Sequence, residues 1–517
     1  MPTVQVDRRA KGIDKTLPPP VGGWNASAAI TSLPITDAIR LENWFPRPTY
    51  VEIRPGSLVH MTQLVGTVKT LAVYHGLDGV SSMWAFTNSG VFEATFGGQS
   101  GGNIYWARTN GKHQWDQFGD GTHNWLIAVN GVDKPWYWNG TTAVLVDGIT
   151  SPAITGITTT DIVSLAVFKQ QLFFIRNNKL AFDYLPKGAA GGAASTFDLG
   201  SIASDGGYLM AICTWTRDGG SGPDDYWVGI TSEGEAIVYQ GTDPASANTW
   251  ALVGVYKIGK PLGRRCILGK FGADPIILTQ DGAFPMAAVL QAGDARAKYA
   301  LSFKIQDAFS RAALAAQDTF GWMACSFPEQ KALIVNVPIR EDGPHEQYVM
   351  NTITKAWCKF IGWHAEDFAV MDGDLYYAQG NRIFRAWTGT DDNGTDITCT
   401  AVQAYSDFGS ALVKDPVLFK PILDTSRPLQ YSTGVDTDFA NSGFAEVTDV
   451  VDTGGGIWDE TNWDDSKWTD SDNIVQHWGG TSSWPGRWLS GKLRIVSSGV
   501  TAKWYGSVMR FLQGNGL

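Results

Sequence analysis

Cysteine is scarce in this 517-residue sequence, and its few copies are widely spaced. No two cysteines stand at the spacing of a metal or redox motif, and no cysteine–histidine cluster occurs. An odd number of separated cysteines argues against a disulfide framework and against a zinc site. We therefore expect free, buried thiols in a reducing compartment. The five are Cys213, Cys266, Cys325, Cys358 and Cys399.

Long hydrophobic runs are also missing. No stretch approaches the roughly 18 apolar residues that a membrane-spanning helix needs. The N-terminus, MPTVQVDRRAKGIDK, lacks the apolar core of a secretion signal. We therefore expect no membrane anchor and folding in a cytoplasm. Charged residues make up only 18% of the sequence, and the net charge is −11. The surface as a whole is therefore not expected to bind nucleic acid or an anionic membrane tightly.

Local catalytic motifs are absent. The seven histidines form no metal-binding spacing, and no nucleophile elbow, phosphate-binding loop or dinucleotide-binding glycine motif occurs. Only the dispersed acids and arginines of a propeller glycosidase would escape such a search. The sequence therefore predicts no enzyme, no catalytic or metal-binding residues and no cofactor.

Glycine and tryptophan, in contrast, are abundant, with 59 and 22 copies. This composition suits many short strands joined by tight turns. A unit of apolar strand, polar turn and apolar strand appears seven times, about every 48 residues, which is the size of a propeller blade. The seven turns are marked by Gly90, Gly131, Asn178, Gly234, Gly282, Glu329 and Asn381.

These repeats predict an all-β fold with a β-propeller of six or seven blades over residues 57–390. The alternative is a string of unrelated hairpins in sandwiches. Residues 1–56 are predicted to be an extended N-terminal arm and a first strand, and residues 391–517 a C-terminal β-sandwich-like domain. The segment 299–317 predicts a helix whose apolar side packs on a blade.

An acidic, tryptophan-rich segment spans residues 431–475. It contains eleven acids and one base, Lys467. Solvated loops, a calcium site or a negative wall facing a passing polyanion would each explain it. Under the third interpretation, the acids that face the channel are Asp459, Glu460, Asp464, Asp465, Asp470 and Asp472.

The segment NWFPRPTYVEIRPG, residues 43–56, joins an Asn-aromatic-x-Pro motif to a strand that ends in Arg-Pro-Gly. Five features follow in order further along the chain. A helix at 301–317 precedes the strand segment GWMACSFPEQKALIVNVP, and a Thr-x-x-Trp turn follows at Thr354-Lys355-Ala356-Trp357. The last predicted blade, DGDLYYAQGNRIFRAW, then leads to YSDFGSALVKDPVLFKPI, the strand pair that enters the C-terminal domain. In content and order this resembles the tail nozzle, or packaged-DNA-stabilisation, proteins of short-tailed bacteriophages, over most of residues 40–430. Family members often have Asp at the position of Asn351.

The resemblance implies a homo-oligomeric ring, expected to be a hexamer, in the virion tail. The ring would hang beneath the adaptor ring below the portal, extend the DNA channel, retain the packaged genome and guide it out. It would assemble in the bacterial cytoplasm, could contact a tail fibre or tail-spike, and would pass viral DNA without binding it tightly.

Two expectations concern the start of such a subunit. Arg8, Arg9 and Lys11 would dock on the adaptor, or the arm would stay disordered until assembly. Trp44, Phe45, Pro46 and Pro48 would pin the incoming arm, and the strand at 50–54 would pair with a blade.

The alternative function is a receptor- or glycan-binding β-propeller, with glycosidase activity as one form of it. In that case the tryptophans of the acidic segment would lie in an exposed groove and stack on sugars. They are Trp458, Trp463 and Trp468.

Overall fold

The structure is a computed structural model, and strands dominate it. It describes residues 12–100, 106–216, 225–271, 274–292, 297–427, 429–447, 473–481, 483–497 and 499–513. The chain separates into two compact units. The propeller unit contains Leu58–Tyr348 and Trp363–Ala386, and the sandwich unit contains Met1–Ser57, Val349–Gly362 and Trp387–Leu517.

Seven groups of neighbouring strands, mostly antiparallel, form the blades of the propeller unit. Blades 1 to 4 each have four strands. Blade 1 contains Val68–His75, Ser81–Thr87, Gly90–Glu93 and Trp106–Ala107, and blade 2 contains Gln114–Gly119, Asn124–Val129, Trp136–Trp138 and Ala143–Leu145. Blade 3 contains Ile162–Phe168, Gln171–Arg176, Ala181–Tyr184 and Ser195–Asp198, and blade 4 contains Leu209–Trp215, Tyr226–Thr231, Glu235–Gly241 and Trp250–Lys257. Blade 5 contains Ile267–Phe271, Asp274–Thr279 and Gly282–Pro285; blade 6 contains Met323–Phe327, Ala332–Pro338 and His345–Asn351, of which residues to Tyr348 belong to this unit.

Blade 7 closes the ring. Its strands Asp367–Met371, Asp374–Gln379 and Arg382–Ala386 are completed by Ser57–Thr62, of which the residues from Leu58 onward belong to this unit and lie at its opposite end in sequence. The first strands of blades 1 to 7 contact one another in order, and that of blade 7 contacts that of blade 1. The predicted all-β propeller is therefore confirmed, with seven blades in the described part of the chain.

Apolar clusters lie between successive blades. One joins the closing strand to blades 1 and 7 through Met61, Leu71, Met83, Ala369 and Ile383. Comparable clusters join blades 1 and 2, 2 and 3, 3 and 4, and 4 and 5. From blade 7 through blade 5, the blades thus bury apolar faces against their neighbours, which a single blade could not do alone.

Short helices accompany the blades. The α-helices are Met286–Ala292 and Gln306–Ala316, and the 3₁₀ turns are Thr159–Asp161, Ala297–Tyr299, Phe303–Ile305 and Pro328–Gln330. The second α-helix buries Phe309 and Ala313 and contacts the last strand of blade 5, as predicted. No helix in the described ranges is long and apolar enough to span a membrane.

Two sheets form the sandwich unit. The first has the order Trp44–Pro46, Val51–Ile53, Ala502–Gln513, Lys414–Thr425 and Asn473–Val475, with Gly12–Leu17 added to Ala502–Gln513 and Gly479–Gly480 added to Lys414–Thr425. The second has the order Trp357–Phe360, Asp37–Glu42, Ile397–Gln403, Leu489–Ser497, Tyr431–Thr437 and Ala445–Val447, with Gly23–Trp24 beside Asp37–Glu42.

The sheets touch where the Phe419 ring lies over Gly491. A Cβ added at Gly491 would come within 2.3 Å of that ring, so only glycine fits there.

The strand Val51–Ile53 pairs with Trp44–Pro46 and with Lys503–Trp504 of the sandwich unit. The prediction that this strand joins a blade is therefore wrong. The reason is that Trp44 packs 5.7 Å from Trp504, and both rings are fully buried. Within the predicted arm, Gly12–Leu17 pairs with Ser507–Leu512. The domain boundaries predicted at residues 57 and 390 stay predictions, because the two compact units given above divide the chain on a different basis, by contacts in space.

Candidate functional site

The residues that the sequence singled out for contact with DNA, adaptor or sugar lie outside the described ranges. They are Asp459, Glu460, Asp464, Asp465, Asp470 and Asp472 for the channel, Arg8, Arg9 and Lys11 for the adaptor, and Trp458, Trp463 and Trp468 for the glycan groove. Their roles stay predictions.

The motif NWFPRPTYVEIRPG forms a buried polar node in the sandwich unit. Asn43 adopts a positive φ of 58°, and its Oδ1 accepts hydrogen bonds from Arg54 Nε and from the Ile361 amide, both at 2.9 Å. Its Nδ2 donates to the Thr398 carbonyl at 2.8 Å. One asparagine side chain therefore connects three separate segments of the chain.

Arg54 completes this node. Its side chain is 1% exposed, and its Nη1 and Nη2 lie 3.0 Å and 2.5 Å from the two carboxylate oxygens of Asp392. The same guanidinium donates to the carbonyls of Pro55 and Ile361. A buried arginine needs such saturation, because unpaired donors away from water are costly. The Arg-Pro-Gly ending of the strand is therefore a structural anchor.

Asn351 ties the same motif to the Thr-x-x-Trp turn. Its Nδ2 donates to the Pro46 carbonyl at 2.9 Å, and its Oδ1 accepts from the Ile353 amide at 2.9 Å. Lys355 in this turn has a φ of +60°. An ionised aspartate could accept the turn hydrogen bonds but could not donate to Pro46. Asparagine therefore suits this chain at a position where the resembling family often has Asp.

The axis of the propeller unit is crossed by Arg265, which precedes the first strand of blade 5. Its Nη2 donates to Thr70 Oγ1 at 2.6 Å and to the His113 carbonyl at 2.8 Å, in blades 1 and 2. Its Nη1 lies 2.9 Å from Asp367 Oδ1 in blade 7. Asp367 Oδ2 in turn accepts from the Leu71 amide at 2.7 Å. One guanidinium therefore links four blades.

A second ion cluster lies at the starts of blades 1 and 7. Lys69 Nζ contacts Asp342 and lies 2.8 Å from Glu366 Oε1. Burial raises the pKa of Glu366, and Lys69 opposes this rise. Burial would lower the pKa of Lys69, but its hydrogen bonds with Asp342 and Glu366 outweigh that effect and raise it. These carboxylates are thus occupied as partners of a cation.

His113 and Arg108 form a buried basic pair beside the axis. The His113 ring is 1% exposed and lies 4.4 Å from the Phe86 ring. Burial, together with the nearby Arg108 charge, lowers the pKa of His113 to about 3. Burial also lowers the pKa of Arg108 to about 10. His113 is therefore neutral at physiological pH and packs as an aromatic ring.

A cavity of about 370 Å³ opens at this end of the axis. We call it the mouth cavity. Its charged lining residues are Lys112, Arg264, Arg265 and Asp318, so cations exceed carboxylates. A second cavity of about 340 Å³ runs along the innermost strands and shares Gln114, Arg264 and Arg265 with it. Volumes of this size match small-molecule sites.

Sequence reasoning did not identify these axial residues. Two signals were present: adjacent arginines at 264–265, shortly before the strand Ile267–Phe271, and adjacent carboxylates at 366–367, where the strand Asp367–Met371 begins. Both mark the starts of innermost strands, where side chains from different blades meet. In the residues that the structure describes, no group of three or more His, Cys, Asp and Glu side chains could hold a metal ion.

No protein-family model matches the sequence, and no curated protein matches it at a significant level. Among solved structures, the extracellular domain of a hybrid two-component system from B. thetaiotaomicron is 11% identical, over 75% of this chain and 47% of that one, with a TM-score of 0.39. The β-propeller domain of Cps50 (Swd1) from Myceliophteria thermophila is 11% identical, over 63% and 98%, with a TM-score of 0.35.

A glycoside hydrolase family 43 arabinoxylan arabinofuranohydrolase from Bacillus subtilis is 10% identical, over 95% of this chain and 99% of that one, with a TM-score of 0.26. Similarities this weak carry no functional argument. The propeller assignment rests on the closed ring of seven blades, whose first strands contact one another in order.

Proposed function

We propose that this chain is a structural subunit of a virion, the tail nozzle of a short-tailed bacteriophage. Copies of it would form a ring below the portal and adaptor, extend the DNA channel, retain the packaged genome and conduct it during ejection. The observation that carries the proposal is the buried node of Asn43, Arg54 and Asp392. It gives a structural role to the motif on which the resemblance to nozzle proteins depends.

Two parts of that resemblance also meet in space. The Asn-aromatic-x-Pro motif and the Thr-x-x-Trp turn lie about 300 residues apart in sequence, and Asn351 Nδ2 donates to the Pro46 carbonyl between them. Phe45 packs against Phe360 and Trp387, with ring centroids 6.2 Å and 5.4 Å away. Motifs that share a packed core are expected to occur together in one architecture, which supports the proposal.

In the proposed ring, DNA would pass outside the individual propellers. Arg265 crosses the axis of each propeller, and the cavity along the innermost strands holds only about 340 Å³. A duplex does not fit such a space, so the passage would lie between copies of the chain. The net charge of −11 suits a conduit, because exposed lysines and arginines would bind phosphates and slow the strand.

The decisive experiment removes the gene from a phage that encodes this chain. Particles that lack the protein are expected to lose their packaged DNA, and supplying the wild-type chain in trans should restore it. Electron microscopy of the complemented particles should show a ring of copies below the adaptor. Deletion particles that keep their genome and infect normally would refute the proposal.

The alternative, a receptor- or glycan-binding propeller, is favoured by the mouth cavity. As a glycosidase it would need two carboxylates at the scissile bond. The lining of the mouth cavity in the described residues contains one, Asp318, so binding is the better form of this alternative. A glycan array tests it: hits that weaken in Trp463→Ala without loss of folding would support the groove predicted from the sequence, hits that weaken only in Arg264→Gln would support the mouth cavity, and an array without hits would count against a glycan receptor.

A further inference from the structure

Arg264 stands out among the cations of the mouth cavity because it has no carboxylate partner in the described chain. Arg265 pairs with Asp367, and Lys112 Nζ lies 2.5 Å from Glu341 Oε1. Arg264 instead makes one long hydrogen bond, 3.4 Å from its Nη1 to the Met210 carbonyl, and stacks 5.4 Å from the Tyr208 ring centroid. A guanidinium has five N–H donors, so most of those on this half-buried side chain are free.

Two further polar side chains line the same cavity with unused hydrogen-bonding capacity. Gln114, at the start of blade 2, and Tyr208, directly before blade 4, are half-buried. Neither the side-chain amide of Gln114 nor the phenol of Tyr208 has a hydrogen-bond partner among the described residues. Both groups reach the open space of the cavity with their hydrogen-bonding capacity unused by the described protein, so a ligand bound there can use it.

We propose that the mouth cavity binds a small organic anion, which carries a carboxylate or a phosphate ester and is about the size of one sugar. Arg264 binds the anionic group through its free N–H donors, and Gln114 and Tyr208 hydrogen-bond to the polar body of the ligand. The three side chains come from three different blades, so the site exists only when the ring is closed.

Charge, more than stacking, selects this ligand. The aromatic rings of the cavity already face cations: the Phe320 ring lies 4.8 Å from the Arg265 guanidinium and 5.3 Å from Lys112 Nζ. Trp322 is 2% exposed, and its Nε1 donates to the Ala316 carbonyl. These rings position cations, and a neutral sugar would find neither an open aromatic face nor a counter-charge. This inference does not depend on the proposed virion role.

Isothermal titration of the full-length chain tests the proposal, with glucose 6-phosphate, glucuronate and neutral glucose as the three probes. At least one of the two anions is expected to bind ten-fold or more tightly than glucose. Binding of only the first would identify a phosphate-ester site, and binding of only the second a carboxylate site. Equal affinities for all three probes, or no binding of either anion, would overturn the proposal.

Three variants separate the site from the scaffold. Arg264→Gln should weaken binding of the anion at least ten-fold, and Gln114→Leu should weaken it several-fold. If Arg264→Gln does not fold, Gln114→Leu alone tests the site. Arg385→Gln is the matched control, because Arg385 is an exposed arginine on a hairpin of blade 7, paired with Asp374. Wild-type affinity in folded Arg264→Gln, or in folded Gln114→Leu, would contradict the assignment.

Discussion

Replacement of Arg54 by methionine tests whether the buried node holds the sandwich unit together. The change keeps much of the side-chain length but removes every donor. It leaves the Asp392 carboxylate, which is 15% exposed, without its two guanidinium hydrogen bonds, and the Ile361 and Pro55 carbonyls without partners. Removal of one partner of a buried ion pair typically costs about 3–5 kcal/mol. For a unit of this size that corresponds to a fall of roughly 6–20 °C in Tm.

The same unit contains a matched pair in an exposed position. Arg510 Nε lies 2.6 Å from Asp14 Oδ1, also with two hydrogen bonds, but these side chains are 41% and 45% exposed. Because solvent screens this pair, Arg510→Met should lower the free energy of unfolding far less than Arg54→Met does.

Urea unfolding followed by tryptophan fluorescence measures both variants, and hydrogen exchange in Trp44–Pro46 and Ala502–Gln513 assigns the loss to the sandwich unit. If the two variants lose the same free energy of unfolding within about 0.5 kcal/mol, burial does not determine the strength of these pairs and the reasoning fails.

Three further predictions concern the propeller unit and the thiols. Met61→Asp places a charge in the cluster that closes the ring, so it should lower the free energy of unfolding by more than about 3 kcal/mol. Leu58→Asp, on the exposed face of the same strand, should change that free energy by about 0.5 kcal/mol or less. Thermal unfolding of the two variants distinguishes these outcomes. Because burial lowers the pKa of His113 to about 3, the unfolded ring gains a proton below pH 6.5 while the native ring stays neutral. The stability of the wild type relative to His113→Phe should therefore fall by about 2 kcal/mol between pH 7 and pH 5, and a difference independent of pH in urea titrations would contradict this. All five cysteines are free and buried, and burial raises the pKa of Cys266 to about 12, so a maleimide should label none of them in the native chain at pH 7 and all of them after unfolding, as read by mass spectrometry.

Local pattern was sufficient to predict the hairpins, the all-β class and the propeller. The turn at Gly90, for example, joins Ser81–Thr87 to Gly90–Glu93 as expected. The prediction of free, buried cysteines is also confirmed. These features depend on residues that are close in sequence, where alternation and turn chemistry determine the outcome.

The choice of sheet could not be predicted in the same way. The strand Val51–Ile53 pairs with Lys503–Trp504, about 450 residues away in sequence, and no local pattern around residues 51–53 indicates a partner that distant. The axial residues were missed for a related reason. Arg265, Thr70 and Asp367 come from three blades, so no spacing in the sequence indicates that they meet.

The way strands are shared has a consequence for synthesis on the ribosome. The seventh blade needs both Ser57–Thr62 and Arg382–Ala386, and the long strand Ala502–Gln513 pairs with Gly12–Leu17. Neither unit can therefore be completed until translation has passed the later partner, and a product truncated before residue 502 would expose unpaired edges in the sandwich unit. Such fragments would be targets for proteases and chaperones, so only chains translated through these strands would accumulate in the folded state.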